Sequence, residues 1–409
     1  MSSKAGKRLV PKLRFPEFLE KVEWAQKFGD DVFDQINNKQ HDSTLPVLAI
    51  TQEYGAIPRN DIDYQVFVTD KSIESYKVVE VGDFIISLRS FQGGIEYSNC
   101  RGICSPAYVI LRKKAGVSEA FFKQFFKSER FIRQLNKNIE GLRDGKMVSF
   151  KQFSELRLPV PLKDEQEQVA DCLSSIDDLI SAQAQKVEAL KAHKKGLMQQ
   201  LFPAEGETVP RLRFPEFRSA VAWKETILGS LIEEFRQSST IQDEFEVLTS
   251  ARGGLVRQRD YYDNDSITER DNIGFNVIPP DYVTYRSRSD NRRFFFNENN
   301  LSITGIISSY YPVFRVVNGC NKFLIELLSF HSNTVGKYSV GTSQTVLSLN
   351  ELRRIKLPLP TRAEQQQIAH CISSVDEIVA THGQKLEALK AHKRGLMQRL
   401  FPSVSESEA

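Results

Sequence analysis

One segment of the sequence occurs twice, and this duplication is the strongest constraint on the fold. Residues 158–203 and 357–402 align without a gap and are identical at roughly 27 of about 46 positions. The same offset of about 199 residues relates PKLRFPEF, which begins at Pro11, to PRLRFPEF, which begins at Pro210. A repeat of this length indicates one structural unit used twice. The segments between the repeats differ in sequence, so the chain is predicted to hold two different inserts in one repeated frame.

Apolar residues within each repeat recur at alternating steps of four and three. This spacing keeps an apolar seam at a period of 3.5 residues and predicts two coiled-coil helices. The seam residues are Val169, Leu173, Ile176, Ile180, Val187, Leu190, Leu197 and Leu201 in the first copy, and Ile368, Ile372, Val375, Val379, Leu386, Leu389, Leu396 and Leu400 in the second. Because the seams match in length, we expect the helices to pair with each other in antiparallel order. The alternative is that each helix folds against its own globular domain.

Proline brackets both predicted helices, because it disfavours helix in the residue before it and cannot continue one. The bracketing prolines are Pro161 and Pro203 in the first copy, and Pro360 and Pro402 in the second. The pairs with capping-box spacing are Asp164 with Glu167, and Thr361 with Glu364. The repeated Glu-Gln at each helix start is interpreted as structural, since acidic residues there complement the helix dipole.

Both inserts are predicted to mix short strands and helices, and to share one fold. The predicted strands are 47–51, 81–89 and 107–112 in the first insert, and 247–251 and 281–288 in the second. The predicted helices are Ser118–Lys137 in the first insert and Asn321–His331 in the second. The polar segments between these elements differ, which is the pattern expected when a shape is kept and a specificity varies.

Basic, amide and hydroxyl side chains in these polar segments are the candidates for DNA contacts. Arginine can contact guanine with two hydrogen bonds, asparagine or glutamine can contact adenine, and other cations hold phosphates. The candidates are Arg89, Ser90, Gln92, Arg143 and Lys146 in the first insert, and Arg252, Arg257, Tyr285, Arg286, Arg288, Asn291, Arg292, Ser343 and Gln344 in the second. The net charge is only +3, so a basic surface has to come from local clustering. The alternative interpretation of these clusters is solvated, charged loops.

Several classes of function lack their sequence motifs. The sequence contains no Gly-rich phosphate loop and no nucleophile elbow. The five cysteines are odd in number and form no pair of CxxC units, which argues against a disulfide framework and a zinc site. We therefore expect no catalytic, cofactor-binding or metal-binding residues. The first residues lack an apolar signal sequence, and no stretch of 18 apolar residues occurs, so a cytoplasmic protein is expected.

The repeated motifs resemble the specificity subunit of type I restriction-modification enzymes. The resemblance lies in LPVPLKDEQEQVADCLSSID and LPLPTRAEQQQIAHCISSVD, in HKKGLMQQLFP and HKRGLMQRLFP, and in the joints PKLRFPEF and PRLRFPEF. It implies two target recognition domains that each read half of a bipartite DNA sequence, and helices that space those domains and dock two modification subunits. Those partners would bind S-adenosylmethionine and methylate adenine. Restriction subunits that use ATP and Mg²⁺ would join the same assembly, whereas this chain would carry no cofactor and no catalytic activity.

The expected fold is a mixed α/β arrangement. Two similar globular target recognition domains are separated by two long antiparallel coiled-coil helices in a pseudo-two-fold cyclic repeat. The expected order is an N-terminal joint (1–24), domain 1 (25–158), spacer helix 1 (159–203), a joint repeat (204–223), domain 2 (224–357), spacer helix 2 (358–402) and a tail (403–409). The alternatives are a phage- or plasmid-encoded specificity subunit that redirects host modification, a nuclease or methyltransferase with fused recognition, and a coiled-coil scaffold that binds proteins.

Overall fold

The structure is a computed structural model that describes residues 9–41, 44–61, 73–137, 148–251, 253–261, 271–342 and 344–402. The chain divides into two compact units. One unit comprises Met1–Ala184 with Gln384–Ala409, and the other comprises Gln185–Gly383. Each unit therefore contains one insert, the beginning of one predicted long helix and the end of the other.

The first insert folds into a globular domain of short strands and helices, here domain 1. Its strands are β1 (Ala25–Phe28), β2 (Phe33–Ile36), β3 (Leu48–Thr51), β4 (Gly55–Pro58), β5 (Lys77–Val79), β6 (Phe84–Ile86), β7 (Glu96–Tyr97), β8 (Gly102–Cys104), β9 (Val109–Lys113) and β10 (Arg157–Val160). Its helices are α1 (Gly29–Val32), α2 (Ser90–Gly93), α3 (Glu119–Phe125), α4 (Glu129–Lys137) and α5 (Phe150–Ser154), and the long helix α6 (Lys163–Leu201) follows. The main sheet has the order β2-β9-β6-β7. β3 pairs with β4, and β5 pairs with β8.

The second insert forms domain 2 with the same kinds of elements. Its strands are β11 (Lys224–Ile227), β12 (Ile232–Glu234), β13 (Glu246–Ala251), β14 (Gly254–Arg257), β15 (Asn276–Ile278), β16 (Val283–Tyr285), β17 (Arg288–Ser289), β18 (Phe296–Glu298), β19 (Gly305–Ile307), β20 (Val313–Val316), β21 (Thr345–Val346) and β22 (Lys356–Leu359). Its helices are α7 (Gln258–Tyr261), α8 (Asn321–Phe330), α9 (Ser332–Lys337) and α10 (Leu349–Arg354), and the second long helix α11 (Arg362–Leu400) follows.

The two domains share one topology, which confirms the expectation that the inserts share a fold. The sheet order β12-β20-β16-β18 of domain 2 corresponds to β2-β9-β6-β7 of domain 1. The parallel pairing of β13 with β19 corresponds to a parallel bridge between Val47 and Ile103. In both domains the first and last strands form an antiparallel ladder, β1 with β10 and β11 with β22. Each domain thus leaves the helical frame and returns to it through two adjacent strands.

The segment Ser118–Lys137 is two helices, so the prediction of one helix was wrong. Its aromatic residues are buried as expected, but the chain turns between Phe125 and Glu129. Ser128 makes the turn, because its hydroxyl donates to the Phe125 carbonyl at 2.7 Å and accepts from the Phe131 amide at 3.2 Å. The hydroxyl thus competes locally with helix continuation.

The two long helices begin shortly after the predicted prolines and end at Leu201 and Leu400, as expected. The predicted capping box at Thr361 and Glu364 is half formed, because the Thr361 hydroxyl accepts from the Glu364 amide at 3.5 Å while the Glu364 carboxylate has other partners. This carboxylate is 1% exposed and accepts from Arg213 Nε at 2.8 Å and Nη2 at 2.6 Å, and from Trp223 Nε1 at 3.3 Å. The repeated glutamate therefore joins the start of α11 to the joint that precedes domain 2.

The same arrangement occurs at the start of α6. Glu165 accepts from Arg14 Nε at 2.7 Å, from Arg14 Nη2 at 2.8 Å and from Trp24 Nε1 at 2.9 Å. The hydrogen bond that Arg14 donates to Glu165 raises the pKa of the guanidinium above its ordinary value, against the opposing effect of burial. This paired, hydrogen-bonded geometry is the kind that offsets the cost of burying two charges.

The two long helices run antiparallel where they meet inside each unit. In the first unit, Val169 and Leu173 of α6 share a core with Leu400 and Phe401 at the end of α11. In the second unit, Ile368 and Ile372 of α11 share a core with Leu201 and Phe202 at the end of α6. These cores also contain the aromatic side chains of domain 1 and domain 2, respectively. The helix ends therefore pack both on each other and on a globular domain. Pairing of the helices and packing of each helix on a domain, which were alternatives in the sequence, thus occur together.

Candidate nucleic-acid interface

The most basic exposed segment of domain 2 follows strand β16. Residues 286–293 read RSRSDNRR, with four arginines and one aspartate. The candidates Arg286, Arg288, Asn291 and Arg292 are all exposed in this segment. The strand before it is fully buried, so the chain passes here from the core to the surface. The sequence prediction of a basic cluster thus corresponds to an exposed surface segment.

Two hydrogen bonds fix the point at which this segment leaves the core. Tyr285 donates its hydroxyl to the Leu347 carbonyl at 2.9 Å. Ser287 donates its hydroxyl to the Tyr310 carbonyl at 2.7 Å. Tyr285 is fully buried, and burial raises the pKa of its phenol well above its ordinary value. Tyr285 is therefore a core residue and cannot contact DNA, which corrects its selection as a candidate.

The structure brings Arg288 and Gln344 to neighbouring positions. Arg288 pairs with Val346, and Ser289 pairs with Thr345, in the short ladder of β17 with β21. Gln344 directly precedes this ladder, and its amide nitrogen lies 3.5 Å from Asp290 Oδ1. Two candidates that are far apart in sequence therefore belong to one exposed surface. Its side chains combine guanidinium donors with an amide that can both donate and accept.

An aromatic residue that was not predicted completes this surface. The guanidinium of Arg288 lies over the ring of Tyr310, with Cζ 4.5 Å from the ring centroid, which is cation–π geometry. Tyr310 lies in the loop between β19 and β20 and is 61% exposed. In the sequence, Ser308 and Ser309 before Tyr310 and Pro312 after it are turn signals, but Tyr310 was not selected as a candidate.

Domain 1 places a basic residue at the corresponding strand end. β6 and β16 occupy the same position in matching sheets, and Arg89 and Arg288 follow them at equal distance. Arg89 and Gln92 are both exposed. Ser90 is 1% exposed, and its hydroxyl accepts from the Ser87 amide at 2.9 Å. Ser90 therefore cannot contact DNA, because it is buried and its hydroxyl forms a hydrogen bond within the turn.

The turn between β3 and β4 adds further side chains beside Arg89. Gln52 donates from Nε2 to the Arg89 carbonyl at 3.3 Å. A side chain at Gly93 would collide with Gln52, so the two loops are in close contact. Tyr54 in the same turn is 61% exposed. Sequence reasoning missed both residues, because the strand at Gly55–Pro58 was not predicted and the turn before it was therefore not recognised.

A partly buried ion pair lies next to this surface. Lys127 donates to Glu96 Oε1 at 2.5 Å and to the Gly93 carbonyl at 3.1 Å. Burial raises the pKa of Glu96 above its ordinary value, while the charge of Lys127 opposes that shift. The Lys127 side chain therefore connects the segment that carries Arg89 and Gln92 to the buried carboxylate of Glu96.

The remaining candidates are not all within the described residues. Arg143, Lys146, Arg252 and Ser343 lie outside them. Arg257 ends β14 and is half-buried, opposite Leu248. Within the described residues, no group of three or more His, Cys, Asp or Glu side chains could hold a metal ion. The helices in that part of the chain are also too short or too polar to cross a membrane.

A second kind of surface repeats in both halves of the chain. Leu179 on α6 and Ile378 on α11 are exposed apolar residues at matching positions of the repeat. Val22 and Val221 in the two joints are also exposed and also match. The interior of the protein does not explain an apolar side chain that is exposed at the same place in both copies. Exposed apolar residues that are scattered singly are common, so these four are informative only because they repeat.

Comparisons with known proteins agree with the duplicated architecture. Residues 21–192 and 236–391 match a family model described as "Type I restriction modification DNA specificity domain". The type I restriction enzyme MjaVIII specificity subunit of Methanocaldococcus jannaschii is 24% identical over 367 residues, which are 82% of this chain and 81% of that relative.

Solved structures show a similar fold. The crystal structure of a type I restriction-modification S subunit from M. genitalium has a TM-score of 0.54 at 14% identity, with 97% of this chain and 100% of that one covered. A chain from work on the complex assembly and conformational transition of the type I R-M system has a TM-score of 0.51 at 15% identity. That match covers 93% of this chain and 98% of the other.

Proposed function

The chain belongs to the type I restriction-modification DNA specificity family, and we propose that its two globular domains each read one half of a bipartite DNA target. The observation that carries this proposal is the matched placement of Arg89 and Arg288. Each is an exposed arginine that follows the same buried strand of the same sheet, in two domains with little sequence identity. The scaffold thus repeats while the neighbouring side chains differ.

The differences around the two arginines support different half-sites. Arg89 is accompanied by Gln92, Gln52 and Tyr54, whereas Arg288 is accompanied by Tyr310 and Gln344. Direct readout depends on which donors and acceptors face the base edges. Two surfaces with different side chains should therefore prefer different sequences. Phosphate contacts from neighbouring cations, such as Arg286 and Arg293, would add affinity without sequence preference.

The repeated frame supports docking of two copies of one partner. Leu179 and Ile378 offer the same kind of exposed apolar side chain in both units, and so do Val22 and Val221. A partner that binds one copy of this surface would find its equivalent in the other copy. We assign these surfaces to two modification subunits, which would bring S-adenosylmethionine and methylate adenine. Restriction subunits that use ATP and Mg²⁺ would join the assembly.

In this proposal the chain itself is a non-catalytic subunit that selects the DNA sequence. Two enzyme assays test that part directly. The purified chain alone should neither methylate nor cleave DNA when S-adenosylmethionine, ATP and Mg²⁺ are supplied. The same chain, combined with its modification subunits, should support methylation of one specific sequence. Methylation by the chain alone would instead indicate a methyltransferase with fused recognition.

A domain exchange tests the assignment of one half-site to each domain. Residues 25–160 would be replaced by the equivalent domain of another family member, with the β1–β10 ladder as its boundary. Methylated motifs would then be sequenced in cells that carry either chain together with the modification subunits. We expect one half of the motif to change and the other half to remain. If both halves change, or if neither chain directs methylation, the proposed division is refuted.

A further inference from the structure

We infer that Tyr310 is a positioning residue that holds the Arg288 guanidinium for a two-hydrogen-bond contact with a guanine. The inference rests on the proposed function, because it assumes that domain 2 reads DNA. It extends that function by naming the base and by adding a residue that determines specificity. Its basis is the geometry of a single exposed pair on the surface of domain 2.

The backbone at both members of the pair is anchored. Arg288 begins the two-residue ladder with β21, and the preceding Ser287 is hydrogen-bonded to the Tyr310 carbonyl at 2.7 Å. The same serine is buried, and the hydrogen bond is partly buried. The two side chains therefore start from backbone positions that are tied to each other. An arginine on a free loop would lack this constraint.

The contact between the side chains leaves the N–H donors of the Arg288 guanidinium free for a ligand. Cζ of Arg288 lies over the ring at 4.5 Å from the centroid, and an arginine that stacks on an aromatic ring contacts it through the face of the guanidinium. The N–H groups of a guanidinium lie in its plane and form a fixed fork. That fork matches the O6 and N7 acceptors of guanine in the major groove. The ring thus restricts the orientation of the fork without occupying its donors.

The exposure of the pair argues against a purely structural role. Tyr310 is 61% exposed, and Arg288 is exposed as well, so their contact buries little apolar surface. Gln344 is a weaker choice for the main base contact, because its amide lies near Asp290. The remaining alternative is that Arg288 holds a phosphate, which would contribute affinity for every sequence equally.

The test uses the full chain in complex with the modification subunits of its own host. Binding would be measured by competition with a set of DNA duplexes in which each base pair of the target is changed in turn. Wild-type protein should prefer guanine at one position of the second half-site by about tenfold to 100-fold, as for other arginine–guanine contacts. Arg288→Ala should remove that preference and leave the other positions unchanged.

The variants of Tyr310 separate positioning from other roles. Tyr310→Phe keeps the ring and should keep the preference. Tyr310→Ala and Tyr310→Leu should weaken the preference at the same base pair as Arg288→Ala. The double variant Arg288→Ala/Tyr310→Ala should discriminate no worse than Arg288→Ala alone. Phe28→Ala is a matched control, because Phe28 is also an exposed ring that lies under an arginine, Arg157, but it belongs to the β1–β10 ladder of domain 1. It should leave this base pair's preference unchanged.

Several outcomes would overturn the inference. An equal loss of affinity for all sequences would identify a phosphate contact, and an effect of Tyr310→Ala at a different base pair would mean that the tyrosine contacts a base itself. Additive losses in the double variant, or a loss in Tyr310→Phe, would also refute the role of the ring. If the wild-type complex shows no sequence preference, the proposed function fails as well. If it shows one that Arg288 and Tyr310 do not affect, only this inference fails.

Discussion

Lys393 of α11 contacts Asp177 of α6, with its Nζ 2.6 and 2.7 Å from the two carboxylate oxygens. The repeat-equivalent Lys194 lies 2.7 Å from Asp376 in the other unit. Both lysines occupy positions where the apolar seam is interrupted. The contacts also reach the globular domains. Gln124 of domain 1 donates to Asp177, and Glu326 of domain 2 accepts from Lys194. The polar interruptions therefore connect both helices to the recognition domain of the same unit.

The ion cluster around Asp376 should make stability depend on pH. Burial acts to raise the pKa of Asp376, but hydrogen bonds and charges of Lys194 and Lys322 outweigh burial and hold it below its ordinary value. A carboxyl with a lowered folded pKa contributes stability above its unfolded pKa of about 3.9, and loses it as the pH falls through the folded value. Asp376→Asn should therefore cost on the order of 1 kcal/mol at pH 7 and less at pH 3.

Urea unfolding at both pH values measures this difference. Lys390→Ala is a suitable control, because Lys390 forms an exposed pair with Glu387 on the same helix. The control should have little effect at either pH. A cost for Asp376→Asn that stays constant between pH 7 and pH 3 would contradict the prediction.

Removing only one partner of the buried Arg213–Glu364 pair in the second joint should lower the free energy of unfolding. Arg213→Met leaves Glu364 buried without its cation, and such losses cost about 3–5 kcal/mol. The double variant Arg213→Met/Glu364→Gln removes both charges and should recover part of the loss. Arg218→Met, at an exposed position of the same joint, serves as the control. Denaturant unfolding followed by tryptophan fluorescence is appropriate, because Trp223 contacts Glu364. A double variant less stable than Arg213→Met would disprove the explanation.

Arg89→Ala should change the sequence preference of the first half-site only. Loss of a base contact should reduce discrimination at one base pair by about 1–3 kcal/mol. Arg101→Ala is the control, since Arg101 is an exposed arginine of the same domain that pairs with Glu80. The measurement is competition binding with single-base-pair variants of the target. Equal weakening at all sequences would assign Arg89 to a phosphate instead.

A circular permutant should fold and support methylation. The Leu13 amide donates to the Arg399 carbonyl at 2.9 Å, and the Leu212 amide donates to the Gln200 carbonyl at 2.9 Å. Each joint is thus attached to the end of a long helix in the same way. Joining Pro402 to Ala5 reproduces the native length of the connection between Pro203 and Pro210, and the chain can be opened after Gly206. An insoluble or inactive permutant, beside an active parent, would show that the joints are not equivalent.

Helix length should set the gap between the half-sites if the helices act as a spacer. One heptad added to both α6 and α11 near their midpoints preserves the seam and adds about 10 Å of rise. At about 3.4 Å per base pair, the preferred gap should grow by about three base pairs, while the half-sites stay the same. Sequencing of methylated motifs measures the gap. An active variant that keeps the original gap would exclude this role.

The sequence predicted the long helices well, because the 3.5-residue seam and the flanking prolines act through local rules that repeat over many residues. It did not reveal the role of Glu165 and Glu364. Their partners Arg14 and Arg213 lie about 150 residues earlier in the chain, and spacing within a helix says nothing about such a contact. The capping-box spacing therefore accounts for the Glu364 amide, which donates to the Thr361 hydroxyl, but not for the Glu364 carboxylate.

The candidate site was predicted less completely. The cluster around Arg288 was found because charge and turn residues are visible in a sequence. Tyr285, three residues earlier, was also selected, because only the pairing of β16 with β18 and β20 shows that it is buried. Tyr310 was missed although Ser308, Ser309 and Pro312 around it signal a turn, because those signals do not show that the turn lies beside Arg288. The burial of Tyr285 and the exposure of Tyr310 thus depend on how strands from distant parts of the chain pair.

The ladders of β1 with β10 and β11 with β22 have a consequence for how such a protein changes during evolution. A domain whose entry and exit strands lie side by side can be replaced as one cassette, because its boundaries require no new geometry from the rest of the chain. If each domain reads one half-site, as proposed above, recombination within the gene would alter one half of the specificity while the other half is inherited intact. New combinations arise from existing parts, without a succession of point mutations that each have to preserve function.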